Sequence, residues 1–473
     1  MTVPYPTSTA STSTPSAPAA PISVTSDTDL AAVLSGRLLT PGGPDWDAAR
    51  QAWNLAVDQR PEFVVQAHTP GDVAATIDFA RESGLRVAPQ GTGHNAGALG
   101  DLTGTILLRT DRMREVTLDA DRRIVRVGAG VLWQEVTEAL APHGLAGLAG
   151  SSGDVGVAGY LLGGGYSWLA RRFGLGCSAV TAVELVTGDG QQHRVDADHE
   201  PELFWAVRGG GGNVGIVTAL EFRVFPVTQV YGGMMLFPIE RAREVLTAYE
   251  RWTRDLDEAA TTCVRLLRVP PLPEIPEFAR GRAFVAVDGA IDLPAEQAEP
   301  LLAPLRDLGP EVDMFAEMPA AALGQIHMDP PQPTPARGDG MLLSDMTGDT
   351  IDALLAVAGP DVESPLLAVD IRHLGGAAGR PDPNGGAVDH LPGRFLLFAV
   401  GITPVPPAEA AVTAAVHAVR AALQPWATDR DYLNFREESD AASRFYSPAT
   451  LDRLRAVRDQ YDPQRVVRSN HEI

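Results

Sequence analysis

Three glycine-rich blocks fall between residues 90 and 217: "QGTGHNAGALG" (90–100), "GLAGSSGDVGVAGYLLGGGYSWLARRFGLG" (147–176) and "GGGGNVGIV" (209–217). Each lies beside a strand-like run, and that pattern limits the folds open to the chain. Glycine lets a backbone take positive φ or come within touching distance of a ligand. Three readings compete. A dinucleotide-binding Rossmann turn needs G-x-G-x-x-G between a strand and a helix, then an acid about 20 residues on. The first block gives Gly91-x-Gly93-x-x-x-Gly97, one residue too long, and "GDLTGTILL" rather than a helix follows it. The third block runs into a strand. The Rossmann reading fails at both. The second reading makes every glycine a tight turn or bulge. The third lays one extended dinucleotide across several loops, its pyrophosphate met by backbone amides.

Composition narrows the chemistry. The sequence contains no lysine, so all 38 basic residues are arginine. That excludes a Walker-type phosphate lysine and a lysine Schiff base to pyridoxal phosphate. A net charge of −22 argues against nucleic acid and anionic membrane partners. Cys177 and Cys263 form neither a disulfide framework nor a metal-type spacing, and HExxH is absent, so no metal is expected. No apolar run of about 18 residues is present, and no membrane span is expected. The Ser/Thr/Pro-rich start lacks the features of a secretion signal, which predicts a disordered tail over 1–28 and a cytoplasmic protein.

Along the chain, 45–60 has helical spacing and "EFVVQA" (62–67) reads as a strand. Thr69-Pro70 opens an amphipathic helix that Gly84 ends, and "LRVAPQ" is the next strand. Beyond 230 the glycine turns thin out. Strands such as "RAFVAVDGAI" and "RFLLFAVGITPV" alternate with helices, giving an α+β region with an antiparallel sheet and long Pro-rich loops near 329–340 and 379–394. Tyr231, Arg372, His373, His390 and Arg394 are its candidate substrate-facing residues. If "LLAVDIRHLGG" is a strand, Arg372 and His373 point to opposite faces.

The order and spacing of the three blocks resemble the FAD-binding half of the vanillyl-alcohol oxidase and p-cresol methylhydroxylase fold, closest to its berberine-bridge-enzyme-like branch. The resemblance covers about 50–226 and 430–473. It implies an α+β protein: an FAD-binding domain of two α/β subdomains over 29–228, a substrate domain with a helix-covered antiparallel sheet over 229–428, and a C-terminal segment, 429–473, returning to the FAD domain. Gln90, Gly91, Thr92, Gly93, His94, Asn95 and Gly97 match the loop that wraps the pyrophosphate, with His94 where the flavin 8α carbon is attached. Gly150, Ser151, Ser152, Val155, Gly156 and Gly159 match the second loop. Doubly attached members carry cysteine bonded to flavin C6 where this chain has Ser152, which implies a single covalent link. Val155 falls where a small residue accompanies oxygen access. Gly212, Gly215 and Val217 match the segment beside the ribityl chain and adenine, with Trp205 and Arg208 preceding it. Asn470 matches the closing segment near the flavin.

"DYLNF" (431–435) matches the segment passing the isoalloxazine, but Phe435 stands where many members have the tyrosine that serves as base. Tyr432 and Asn434 are then the catalytic candidates there. The resemblance implies a small-molecule oxidase that takes hydride from an alcohol, sugar or amine carbon and reduces O2 to hydrogen peroxide. A dehydrogenase or oxidative cyclase making little use of O2 would share these motifs, and a non-catalytic binding protein would not need the His94 chemistry.

Overall fold

The computed structural model describes residues 26–273 and 275–473. Most of the expected tail, 1–25, lies outside the described residues. Its predicted end at 28 is corrected: the Ser26 hydroxyl accepts the Asp29 N–H at 3.1 Å and caps a helix over Asp27–Val33.

The first layer is a four-stranded sheet. Phe63–Gln66, Thr105–Arg109 and Arg86–Gln90 pair in parallel, and Arg37–Leu39 adds antiparallel at the edge. "TILL" is buried, as expected for a strand covered on both sides. The helix Pro70–Ser83 starts where predicted because Thr69 and Asp72 form a reciprocal capping box, and it stops at Gly84, whose φ is +68°. The first glycine block leaves the carboxyl end of the parallel strand Arg86–Gln90, the end where open α/β sheets bind ligands.

The second layer is a five-stranded antiparallel sheet ordered Val116–Asp119, Ile124–Gly128, Gly215–Arg223, Val180–Thr187, Gln192–Asp196. The second glycine block lies between the helix Trp133–Leu140 and the strand Val180–Thr187. The third turns the helix Pro201–Val207 into Gly215–Arg223.

From 229 onward, eight strands form one antiparallel sheet, with Gln229–Pro238, Ala283–Ile291, Ala260–Arg268, Ala368–His373, Phe395–Ile402 and Ala336–Leu343 in spatial order through its middle. Helices Ala242–Thr253, Ala295–Arg306, Gly348–Ala358 and Pro406–Leu423 contribute to a core built on one face of it, with Tyr249, Phe237, Leu302, Ile351 and Val416 among the buried residues. The period-two alternation of a strand places Cys263, Arg265, Asp288, Asp370 and Arg372 on the opposite face, and the first four are buried there. After the helix Pro448–Tyr461 the chain returns to the first layer. Val87 N–H donates to the Val466 carbonyl at 2.8 Å, and Val466 and Val467 join that layer's core.

Two local expectations change. The helix in 45–60 spans only Trp46–Arg50, because Trp53 is drawn into the site described below. The predicted loop 329–340 becomes a strand from Ala336, paired with Phe395–Ile402. Tyr432 lies before a 3-10 turn, Leu433–Phe435. Among the described residues no helix is long and apolar enough to cross a membrane.

Candidate FAD site

The first loop is built around His94. Its Nδ1 lies 2.8 Å from the Thr92 hydroxyl, and its ring stacks on the Trp53 indole at 4.1 Å with 17° between planes. Its Nε2 faces Asp154 Oδ1 at 3.4 Å without a hydrogen bond. Asp154 belongs to the second glycine block and accepts from Trp53 Nε1 at 2.6 Å and from the Ser152 hydroxyl at 2.7 Å. Burial works to raise the Asp154 pKa, but the facing His94 ring and the hydrogen bonds from Ser152 and Trp53 outweigh it and leave the group below the usual carboxylate range. Sequence reading passed over Asp154; its trace was an acid inside a glycine run. Gly93 is fixed at φ +89°, and a Cβ there would come within 2.9 Å of Ala52 Cβ. Gln90 accepts from Gln59 at 2.9 Å, and the Gly91 carbonyl accepts from Arg109 at 3.1 Å.

The C-terminal segment ties these loops together. Asn470 donates to the Asn95 carbonyl at 2.5 Å, and Asn434 donates to the Tyr160 carbonyl at 2.9 Å. Gly163 is required beside Asn434: a Cβ there would lie 1.7 Å from the amide oxygen. The third block meets the second where Gly211 N–H donates to the Leu162 carbonyl at 3.0 Å, and it meets the C-terminus where Asn213 donates to the His471 carbonyl at 2.9 Å. Gly212 sits at φ +78°, and Gly215 and Val217 are buried in the strand that follows. Gly97 packs against the Glu437 backbone, and Gly150 lies over the Tyr160 ring. The Val155 carbonyl accepts from Trp133 N–H at 3.0 Å, Gly156 N-caps the helix Val157–Leu162, and Gly159 opens to solvent on it. Arg208 donates to the Asn384 carbonyl at 2.7 Å, and Trp205 lies 3.8 Å beneath the Arg453 guanidinium.

Tyr432 does not have the surroundings of a base. Its buried phenol oxygen accepts from the Gly165 and Tyr166 N–H groups, both at 3.0 Å, and from the Asn434 amide at 2.9 Å. Burial drives its pKa above the ordinary phenol value despite those bonds. Both Tyr432 and Asn434 hold the "LGGGY" turn in shape.

On the sheet side only the Arg372 side chain, of the five candidates, reaches the glycine blocks; His373 meets the second block through its carbonyl, which accepts from the Tyr166 hydroxyl. Its guanidinium lies 4.8 Å over the Phe435 ring, 3.5 Å from the Ser151 hydroxyl and 3.4 Å from Asp370. His373, one residue on, faces the helix side beside Phe395, and burial pushes its pKa down to about 2. Tyr231 is in the helix-side core, His390 pairs with Asp389, and Arg394 with Asp345 and Glu250. Sequence reading missed the group behind Ser151. The Ser151 hydroxyl donates to Asp329 at 3.1 Å, and Asp329 lies 3.5 Å from Nδ1 of the buried His327. Burial opposes ionisation of Asp329, but His327, Arg265 and Arg372 hold it well below the carboxylate range. Arg265 and Asp288 form a buried two-pronged pair at 2.6 and 2.8 Å.

Buried polar atoms without partners gather on the same loops: Gln90 Nε2, His94 Nε2, Asn95 Oδ1, Tyr160 OH and both ring nitrogens of His471. Such atoms are costly unless something meets them. Together with the glycine cradle they fit a polar, extended group such as FAD.

The arrangement defines a flavoprotein scaffold, and the comparisons agree. Residues 61–196 match the family described as FAD binding domain. The uncharacterized FAD-linked oxidoreductase YgaK of Bacillus subtilis is 27% identical over 453 residues, covering 93% of this chain and 97% of the relative. (R)-6-hydroxynicotine oxidase of Paenarthrobacter nicotinovorans is 29% identical over 255 residues, 54% of this chain and 52% of that protein. The solved structure of Physcomitrella patens BBE-like 1 superposes with a TM-score of 0.82 at 20% identity, covering 95% and 99% of the two chains. That of 6-hydroxy-D-nicotine oxidase from Arthrobacter nicotinovorans gives 0.81 at 23%, over 92% and 96%. The chain has the fold of the vanillyl-alcohol oxidase and p-cresol methylhydroxylase flavoproteins, carries an FAD binding domain over residues 61–196, and is similar to an FAD-linked oxidoreductase along nearly its whole length.

Proposed function

We propose that the chain is an oxidase: it takes hydride from a carbon bearing oxygen or nitrogen in a small molecule, reduces O2 to hydrogen peroxide, and holds FAD by one covalent bond to His94. The observation that carries this reading is His94 itself, a half-buried, clamped imidazole with an unpartnered nitrogen in a loop of phosphate-cradling glycines. Oxidases for nicotine and glucooligosaccharide derivatives among the relatives support it. FAD, when bound, supplies a two-electron acceptor for hydride.

The chain's own residues do the rest. Gln90 to Gly97, with Gly150 to Gly159 and Gly212 to Val217, hold the cofactor, and Asn470 braces the first loop. Ser152 in place of cysteine leaves one attachment point. Ser151, Arg372, Asp329 and Phe435 form the substrate wall. Asp329, a third exposed at its side chain and backed by His327, is the group placed to take the proton that leaves as hydride departs. Tyr432 and Asn434 position the glycine turn and carry no proton. With Arg265 tied to Asp288 and Arg372 beside Asp370, this wall has no spare positive charge, which favours a neutral polyol or alcohol or an amine over an anion. Cytoplasmic location is part of the same proposal.

The test is direct. Wild type denatured in acid keeps yellow flavin on the polypeptide, and His94→Ala does not. Flavin released freely by the wild type defeats the covalent assignment. Stopped-flow reoxidation in air then separates an oxidase from a dehydrogenase or cyclase, which reoxidises slowly.

A further inference from the structure

We propose that Asp154 is the positioning residue that prepares His94 for flavin attachment. The inference rests on the reading that His94 carries the flavin.

Three separate stretches of chain meet on one imidazole. Trp53 packs flat on the ring at 4.1 Å and spends its indole N–H on Asp154 Oδ2 at 2.6 Å, so one side chain orients both members of the pair. Ser152 holds the other carboxylate oxygen, Oδ1, at 2.7 Å, and that oxygen faces His94 Nε2 at 3.4 Å. A movement of about half an ångström turns this approach into a hydrogen bond. An ionised carboxylate on Nε2 fixes the tautomer with its proton there and leaves the lone pair on Nδ1, whose one partner is the Thr92 hydroxyl at 2.8 Å, a group free to rotate. The carboxylate is ionised at neutral pH because its two donors, Trp53 and Ser152, and the facing His94 ring overcome its burial. Ser152 acquires a role from this: where doubly attached relatives place a cysteine, this chain places a hydroxyl that orients Asp154.

The chemistry balances. One C–N bond forms between the imidazole and the 8α carbon. That carbon loses one proton and the imidazole another, and two electrons remain on the flavin until O2 takes them with two protons as hydrogen peroxide. Asp154 aids the nitrogen's attack by stabilising the positive charge that grows on the ring as the bond forms.

The experiment compares wild type, Asp154→Asn, Asp154→Glu and His94→Ala as full-length proteins. Total flavin is read by absorbance, attached flavin by what stays with acid-precipitated protein, and the attachment rate by incubating flavin-depleted protein with FAD in air. Asn keeps one oxygen to accept from Trp53 and turns its amide N–H to the Ser152 hydroxyl, which can accept, so that variant binds FAD and keeps its melting temperature within a few degrees. Its acid-stable flavin accumulates on the order of 10²-fold more slowly, and Glu restores part of the rate. Attachment at the wild-type rate in Asp154→Asn overturns the proposal. So does failure of that variant to bind FAD at all, which would make Asp154 part of the cradle only. Acid-stable flavin in His94→Ala defeats the attachment reading instead, whatever Asp154 does.

Discussion

Replacing Tyr432 by Phe separates a structural phenol from a catalytic one. The substitution keeps the ring and its packing on Phe435, 5.4 Å away, and removes one oxygen. That oxygen satisfies two backbone N–H groups, Gly165 and Tyr166, in a buried turn. Asn434 is less affected, since its amide also donates to the Tyr160 carbonyl. The space left is too small for a replacement water. Two stranded buried donors at roughly 1.5 kcal/mol each amount to about 3 kcal/mol. For a chain of 473 residues, whose unfolding entropy is about 1 kcal/mol/K, that corresponds to a melting temperature lower by about 3 °C. The assay pairs a thermal melt with kcat against pH, both on protein carrying the same amount of flavin. The melting temperature falls by that amount, kcat drops modestly, and the pH profile keeps its shape. A melting temperature within about 1 °C of wild type, combined with loss of an ionisation from the profile, would refute the argument and return Tyr432 to the chemistry.

Two further outcomes concern carboxyl groups. Burial pushes Glu437 up to about 8, aided by nearby Asp339 and resisted by the Gly338 N–H. A carboxyl whose folded pKa is raised gives its full stabilisation below the unfolded value and loses it as pH rises through 8. Glu437→Gln, which mimics the protonated form, therefore matches wild type near pH 5 and exceeds it above pH 8 by on the order of 2 kcal/mol in urea titrations; equal stability at both pH values would count against this. Asp329→Asn slows anaerobic reduction of bound flavin by substrate about 10²-fold, with little change in melting temperature. An unchanged reduction rate would move the proton acceptor elsewhere.

The cofactor side was legible because its determinants are local. A capping Thr69 with Pro70 and a terminating Gly84 fix one helix, the apolar run Thr105–Arg109 fixes a parallel strand, and the glycines mark close approaches of backbone. Each is decided within a few residues, so spacing alone carries the information. Trp53 shows where this ends. Helical periodicity through 45–60 is a weak preference, and a stack on His94 with a hydrogen bond to Asp154, 101 residues away, overrides it.

The substrate side was hidden for a different reason. Arg372 and His373 are adjacent in sequence, yet one reaches Ser151 while the other enters the helix-side core, and only the sheet's register decides which. Asp329 and His327 sit in a segment that reads as Pro-rich loop, and they become a pair only because the strand beginning at Ala336 fixes the loop's exit beside the first layer, where Thr334 N–H bonds the Trp53 carbonyl at 3.2 Å. The missing phenol at Phe435 pointed to a gap in the chemistry without saying what fills it. The group proposed to fill it, Asp329, lies in another strand connection altogether and is brought to Ser151 by long-range pairing. A single sequence therefore exposes the half of the site made by consecutive residues and conceals the half made by a sheet.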